Sequence, residues 1–298
     1  MNVAPPPSFG DVTVDAAGNP CVPLSLKILG WLRMQTKGCS FDAISELCGV
    51  SLPTMHAFFH HFSQRFLDEN FHLWIVYPKT KEDARESLSV YARLGVPGIV
   101  ASTDCTHVSW GRCPAQLGVV YTGKEHFPSI SYEVSCDHSK KVLWVTDGHP
   151  GSRNDITIIK TDEFLQRVLN REILQDVTYE LFDKDGKAYT CEGALIMLDN
   201  GYPKRGPLQC PMKHCVTDAE NRWSCRFESV RKDIEGFFGI LKIRYRILRS
   251  RMNFQKQVYC DNVFKNCCIL HNMNLQDDGL DNAWNKSRRP TQPSHTKW

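Results

Sequence analysis

The sequence predicts an α/β protein: a central sheet with helices packed on its faces, preceded by a separate helical module. Three observations predict it. Apolar residues recur at helical spacing from Leu24 to about Leu67, with capping residues between the segments. After "VPG" (Val96–Gly98) the texture changes to short apolar or alternating runs bounded by turn residues. The order from there is three strands, a helix, a strand and a helix, which suits one sheet covered by helices.

Residues 1–22 are rich in Pro, Gly and Asp and read as a disordered arm. Residues 23–77 contain "LSLKILGWLRMQTKG", "SFDAISELCGV" and "SLPTMHAFFHHFSQRFL". Ser40 and Ser51 are placed to cap the second and third of these, and Gly49 to end the second. A short helix, a tight turn and a second helix make a helix-turn-helix shape, whose second helix would present Thr54, His56, His60 and Gln64 to a DNA groove. An ordinary three-helix bundle fits the same pattern. Residues 78–97 form a charged amphipathic helix and linker.

Residues 98–275 hold the sheet. "GIVASTDCTHVSW" reads as a buried strand ending in polar residues, "SISYEVSCD" as an alternating strand and "KVLWVTDG" as a third. A helix is predicted from Asp155, a hairpin around "KDG" and a short apolar strand ending at Asp199. The segment from Lys204 to Arg226 reads as irregular. Two helices follow, one carrying Glu235 and one containing "CCILHN". The tail, 276–298, is polar and reads as disordered.

Composition narrows the class. The chain has 298 residues, 42% of them hydrophobic, which suits a good-sized globular core. A net charge of +3 is too small to name a partner, so what matters is where the positive charge gathers. No basic and apolar leader is visible, and no run approaches the roughly 18 apolar residues of a membrane span. The expectation is a soluble intracellular protein without a membrane partner. Most of the thirteen cysteines, an odd number without a CxxC pair, then read as small buried thiols. The best zinc candidate, Cys210, His214, Cys215 and Cys225, matches no standard structural spacing.

Asp104 and Asp199 are both placed by the pattern at carboxyl ends of apolar strands, the edge where open α/β sheets build sites. A buried strand fixes a carboxylate in space. Two or three such carboxylates make a hard oxygen cage for Mg²⁺ or Mn²⁺. Two ions about 3.5–4 Å apart can stabilise the attacking and leaving oxygens of phosphodiester cleavage. Either aspartate alone would more ordinarily cap a turn.

Glu235 lies in "VRKDIEGFFGILKIRYRILRSR" (Val230–Arg251), one of the most basic parts of the chain. Helical spacing places Arg231, Glu235 and Lys242 along one side. "IEGFFGIL" is too apolar for a solvated helix, so this charged row needs a purpose. Glu235 holding metal, with Arg231 and Lys242 positioning phosphate, would supply one; Arg244, Arg246, Arg249 and Arg251 would extend the grip on a DNA backbone.

These residues resemble the transposases of the PIF/Harbinger group, in the DDE superfamily. "STDCTHVSW" resembles the group's first aspartate motif, "GHPGSRND" the segment before its first core helix, and "LDNGYP" its second aspartate motif. "VRKDIEGFFGILKIRYRIL" resembles its glutamate motif and "CCILHN" its closing helix. The resemblance runs from about Leu24 to Asn274. It implies an RNase H-like fold, with residues 98–275 as the nuclease domain and Asp104, Asp199 and Glu235 as the metal-binding triad. Arg231, Glu235 and Lys242 match an Arg-x3-Glu-x6-Lys signature, although Glu228 stands where a tyrosine is expected. Asn154 stands where a histidine is common. Asp155 either helps at the metal site or caps its helix, and His107 either touches a ligand or phosphate or is structural. The resemblance also implies double-stranded DNA as substrate, two Mg²⁺ (or Mn²⁺) ions, a homo-oligomer, a Myb-like accessory DNA-binding protein and a place in the nucleus.

The function expected is that of a DNA transposase or endonuclease cleaving and joining phosphodiesters with two divalent metals. The alternatives are a domesticated, catalytically inactive DNA-binding protein and a hydrolase of small phosphoesters.

Overall fold

The computed structural model describes residues 21–280 except residue 184, together with Val14 and Gly18. The arm predicted over 1–22 and the tail over 276–298 lie mostly outside the described residues. Helices α1 (Leu24–Lys37), α2 (Phe41–Cys48) and α3 (Leu52–Trp74) open the chain. Their ends follow the capping residues. The Ser40 hydroxyl accepts from the Ala43 amide at 3.2 Å, that of Ser51 from the Thr54 amide at 3.4 Å, and Gly49 ends α2 at φ 62°.

The sheet runs in the order β3-β2-β1-β7-β8, with β4 also paired to β2. The strands are β1 (Ile99–Ser109), β2 (Ser129–Cys136), β3 (Val142–Val145), β4 (His149–Pro150), β7 (Leu195–Met197) and β8 (Leu208–Gln209). The hairpin strands β5 (Thr178–Phe182) and β6 (Ala188–Glu192) form a separate ribbon. Neighbours β1, β2 and β3 are antiparallel; β7 and β8 continue parallel to β1. This mixed sheet, with helices on its faces, is the RNase H-like arrangement expected.

One face is covered by α8 (Asp218–Arg244) and α9 (Gln257–Asp277), where Ile130, Tyr132 and Val134 meet Phe237 and Phe264 in one core. The Tyr132 and Phe264 rings stack at 3.9 Å between centroids. The opposite face buries Val100, Ala101 and Ile196 against Phe164 and Leu165 of α7 (Glu163–Leu169). Covered on both faces, β2 is buried at all eight positions although its sequence alternates. Its polar residues pair with those of β1 instead: Thr103 and Ser135 share a hydroxyl hydrogen bond of 2.6 Å.

"CCILHN" is a clasp. Asn272 accepts from the Val142 amide and donates to the Val142 and Trp74 carbonyls, each at 2.8 Å. His271 Nε2 donates to the Lys140 carbonyl at 2.9 Å. Together they satisfy the edge of β3 from a helix, so the sheet ends without an open ladder there.

Several expectations change. Helix α3 runs to Trp74 and docks along α9, so the face predicted to read DNA is partly occupied. The His60 ring stacks on Tyr259 at 3.9 Å and Gln64 Oε1 accepts from Asn262 at 2.8 Å; Thr54 and His56, at the helix start, stay exposed. The linker helix shrinks to α4 (Arg85–Arg93), because Asp83 takes the Lys79 and Thr80 amides at 3.0 Å each and folds the preceding residues into a turn. The helix predicted from Asp155 breaks into α6 (Asp155–Ile158), a 3₁₀ turn and α7, since Asp162 starts a fresh helix by accepting from the Leu165 amide at 2.7 Å. A four-residue helix, α5 (Gly118–Tyr121), precedes β2. The segment read as irregular gives β8 and the start of α8, capped by Thr217 and Glu220. All thirteen cysteines are free, but only Cys136, Cys210, Cys260, Cys267 and Cys268 are buried, so most are not the buried thiols expected; the others lie in loops or on elements with one side towards solvent. No helix among the described residues is long and apolar enough to cross a membrane.

Candidate active site

Asp104 stands in the middle of β1, not at its end as the apolar pattern suggested. Antiparallel pairing with β2 carries the strand on to Ser109. The parallel pairing with β7 stops earlier. Its last partners are Ser102 and Met197, and two residues beyond each lie Asp104 and Asp199. The register therefore delivers both carboxylates to the same level of the sheet, at the point where β7 leaves β1.

Asp199 is held by its own turn, its Oδ1 accepting from the Gly201 amide at 2.6 Å. Asp155 joins it. A Cβ placed on Gly201 would lie 2.9 Å from Asp199 Oδ1 and 3.0 Å from Asp155 Oδ2, so these oxygens are no more than about 6 Å apart. Asp155 is not the helix cap. Asn154 takes that role, accepting from the Thr157 amide at 3.0 Å, which leaves the Asp155 carboxylate for the site.

The carboxyl of Asp104 is pushed up to about 6 by burial, with Asp199 and Asp155 adding to the rise; the Cys105 amide and Arg231 oppose it. Arg231, on α8, reaches three carboxylates with three nitrogens: Nη1 to Asp104 (3.4 Å), Nε to Glu228 (3.2 Å) and Nη2 to Glu235 (2.8 Å). Burial works against its charge, but Glu228, Asp104 and Glu235 raise its pKa overall. Its side chain is 10% exposed and faces carboxylates rather than open space for a phosphate, whereas that of Glu235 is 49% exposed. Glu228, at the position expected for tyrosine, is thus one of the groups that hold Arg231.

Lys242 lies further along the same side of α8 and donates to the His107 carbonyl at 3.0 Å; burial lowers its pKa. The His107 ring, within 3.3 Å of the Ser129 hydroxyl, is also lowered, by burial and then by Lys124. Both lie three or more residues down β1 from Asp104, beside the loop that carries Lys124 and Glu125. Arg244 is half-buried and pairs with Asp278 at 3.9 Å. Arg246 is exposed beyond the end of α8 and belongs to another surface.

Three residues escaped the sequence reading. On the face opposite Arg231, the Tyr202 hydroxyl donates to Glu133 at 2.8 Å and lies 3.3 Å from the Cys105 sulfur. Burial, with Asp162 nearby, raises the Glu133 carboxyl well above its usual range, and burial raises Asp162 up to about 7. Through Tyr202 this pair of raised acids ties the Asp199 turn to β1 and β2. Tyr202 lies within "LDNGYP", but a glutamate in an alternating strand looks like an exposed one, so nothing in the pattern marked Glu133.

The donor set is entirely oxygen, the chemistry of a hard divalent cation. As the side chains stand, no three His, Cys, Asp or Glu side chains among the described residues converge closely enough to hold a metal ion. That applies to the aspartates and Glu235 and equally to Cys210, His214, Cys215 and Cys225.

The family described as plant transposon protein matches residues 75–282. A protein named "Putative nuclease HARBI1" from Mus musculus is 25% identical over 260 residues, covering 86% of this chain and 68% of its own length. The protein of the same name from Xenopus laevis is 22% identical over 256 residues, 85% of this chain and 68% of its own. "Protein ALP1-like" from Arabidopsis thaliana is 23% identical over 272 residues, 90% of this chain and 64% of its own. The chain thus spans about two thirds of the length of these relatives. No solved structure matches it.

Proposed function

This chain belongs to the plant transposon protein family, whose match bears out the resemblance to PIF/Harbinger-type transposases, and from that premise we propose that it is a metal-dependent endonuclease of the transposase type acting on double-stranded DNA. The observation that carries the reading is the strand register. The last parallel pair, Ser102 with Met197, sends both chains two residues onward to Asp104 and Asp199, and Asp155 closes on Asp199 across Gly201. Crowding carboxylates at one buried place has a cost, seen in the raised Asp104, and a divalent cation would offset it. Asp104, Asp155, Asp199 and the exposed Glu235 would hold it. When bound, such an ion polarises a phosphate oxygen and lowers the pKa of water.

The residues around the ligands have separate tasks in this reading. Arg231 keeps Asp104 and Glu235 on one side of the sheet. Tyr202 anchors the Asp199 turn from the other. Lys242 and His107 lie down the strand, where a phosphodiester entering along β1 would pass.

The test is nicking of supercoiled plasmid by the purified protein with Mg²⁺, Mn²⁺ or EDTA, beside Asp199→Ala. Nicking that needs the ion and vanishes in the variant is expected. A wild type that binds DNA but never cuts it would favour the second reading, a DNA-binding protein without cleavage. The arrangement that favours this alternative is the same site, where an internal arginine already compensates the carboxylates and no three ligands converge.

A further inference from the structure

The chain that follows α8 has an alternation which the carboxylate site does not use. Tyr245, Ile247, Leu248, Met252 and Phe254 are buried, while Arg246, Arg249 and Arg251 between them are exposed. The buried residues pin the segment at both ends. Asn274 donates to the Tyr245 hydroxyl at 3.0 Å and Trp110 Nε1 to the Phe254 carbonyl at 2.7 Å. In the middle, the Met252 amide donates to the Ser109 carbonyl at 2.8 Å and the Gly111 amide to the Met252 carbonyl at 2.9 Å. Residues 245–254 thus form a fixed strap that runs beside the far end of β1.

Two further cations flank it. Gly38, in the left-handed region at φ 68°, seats the end of α1 so closely that a Cβ there would lie 3.1 Å from Ser250 Oγ; this places the exposed Lys37 beside Arg246. On the other side a Cβ on Gly111 would lie 3.0 Å from the Arg251 Cβ, which puts the exposed Arg112 next to Arg251. Between the strap and the start of α3 runs a groove with Phe41, Ile247 and Phe254 in its walls and His56, Arg112 and Arg251 among its polar lining. Asp42 is the one acidic residue that lines it. Arg112, Arg246, Arg249 and Arg251 make no ion pair within the chain among the described residues. Five exposed cations held by apolar anchors, with one opposing acid, form a surface for a polyanion.

We propose that this groove binds the sugar–phosphate backbone of duplex DNA flanking the phosphate at the carboxylate site. The inference rests on the nuclease reading above and adds to it a second, distant contact. The spacing sets where that contact falls. Asp104 and Arg112 are eight residues apart along β1 and its continuation, at most about 26 Å at 3.3 Å per residue. At about 3.4 Å per base pair the groove meets the backbone up to roughly 7–8 base pairs from the scissile phosphate. The exposed start of α3, with Leu52 and His56, lines the same groove. The N-terminal helices therefore meet DNA at their edge with the strap, rather than along the face of α3 that α9 covers.

The experiment is duplex binding by the full chain, followed by fluorescence anisotropy of a labelled 30-base-pair duplex in EDTA across a salt series. Arg112→Ala/Arg251→Ala is compared with Lys187→Ala, on the exposed hairpin, as the control. Each phosphate contact contributes about 0.9 to the slope of log affinity against log salt, so the double variant should lose nearly 2 from the slope and the control nothing. Asp42→Asn should bind more tightly than wild type. Circular dichroism confirms that each variant is folded; should the double variant not fold, Arg112→Ala alone, which also lines the groove, takes its place with an expected loss of about 0.9. A folded strap variant with an unchanged slope overturns the groove while leaving the nuclease reading intact. A wild type with no affinity for duplex DNA overturns both. Displacement of the duplex by polyglutamate at equal charge concentration would also overturn it, because the groove would then fit an acidic peptide as well as a DNA backbone.

Discussion

Replacing Asp104 with asparagine should stabilise the protein in the absence of divalent ions, although it removes a residue of the candidate site. Burial and the neighbouring Asp199 and Asp155 raise this carboxyl from 3.8 to about 6. A carboxyl whose pKa rises on folding costs stability where it is ionised in both states. That cost is fully present above about 6, shrinks as the pH falls through the window from 6 to 3.8, and is absent below it. At about 1.4 kcal/mol per unit the full cost is about 3 kcal/mol, falling to about 1 kcal/mol at pH 4.5. Asparagine has the shape of the protonated acid and does not pay it. Asp104→Asn should therefore melt roughly 4–6 °C above wild type at pH 7.5 in EDTA, at about 2 °C per kcal/mol for a chain of this size, and much closer to it at pH 4.5. His60 and His271, each lowered to about 4 by burial first, lose stability as the pH falls below 6.5, but both proteins share them and the difference cancels. Adding Mg²⁺ at ten times its dissociation constant should raise wild type by about 1.4 kcal/mol and leave the variant unchanged. Thermal melts followed by circular dichroism read all of this. An Asp104→Asn that melts at or below wild type at pH 7.5, or a gap that does not depend on pH, would refute the reasoning.

Three more outcomes are expected. Gly201→Ala inserts a methyl at 2.9 and 3.0 Å from the Asp199 and Asp155 oxygens, so plasmid nicking and Mn²⁺ binding by titration calorimetry should both fall at least tenfold, with little change in melting temperature. Glu133→Gln should melt within about 1 kcal/mol of wild type at pH 7.5, because burial holds the acid well above its usual range and an amide can still accept from Tyr202, whereas Glu133→Leu, which strands that hydroxyl, should cost about 2–3 kcal/mol in urea unfolding. Asn272→Ala leaves the Val142 amide and the Val142 and Trp74 carbonyls without their partner and should cost about 2–5 kcal/mol in the same assay.

Much of the architecture was legible because local and global signals agree. Ser40, Gly49 and Ser51 cap where the helical periodicity breaks, and the hairpin turn sits between two alternating runs. Misreadings fell where burial is decided by a distant partner. The polar run from Thr103 to His107 looks like the end of a strand, but β2 supplies a polar ladder that keeps it paired and at least half-buried. The His60 and Gln64 face of α3 looks like a solvent face because its partners, Tyr259 and Asn262, lie almost two hundred residues away. At the site, Asp104 and Asp199 were found as types in a motif, but not the register that aligns them. Asp155 stayed ambiguous because asparagine and aspartate are equally good caps, and only the geometry shows that Asn154 does the capping.

The acid on a basic helix also finds an explanation in α8. The charges of that helix and of the basic run that follows it are divided between two surfaces. Arg231 turns inward to Asp104, Glu228 and Glu235, and the arginines beyond Arg244 turn outward along the strap. Arginine suits the inward position because its planar fork offers separate nitrogens to three carboxylates on two elements, which a single ammonium could not do in the same geometry. It gives the crowded acids one permanent counter-charge. Of its three contacts, that to Asp104 is the longest, at 3.4 Å, and joins α8 to the sheet; the other two stay within the helix. A second cation entering among Asp104, Asp155 and Asp199 would compete with that contact first. Glu235, still held by Arg231 at 2.8 Å and half exposed, would be left at the open edge of the same site.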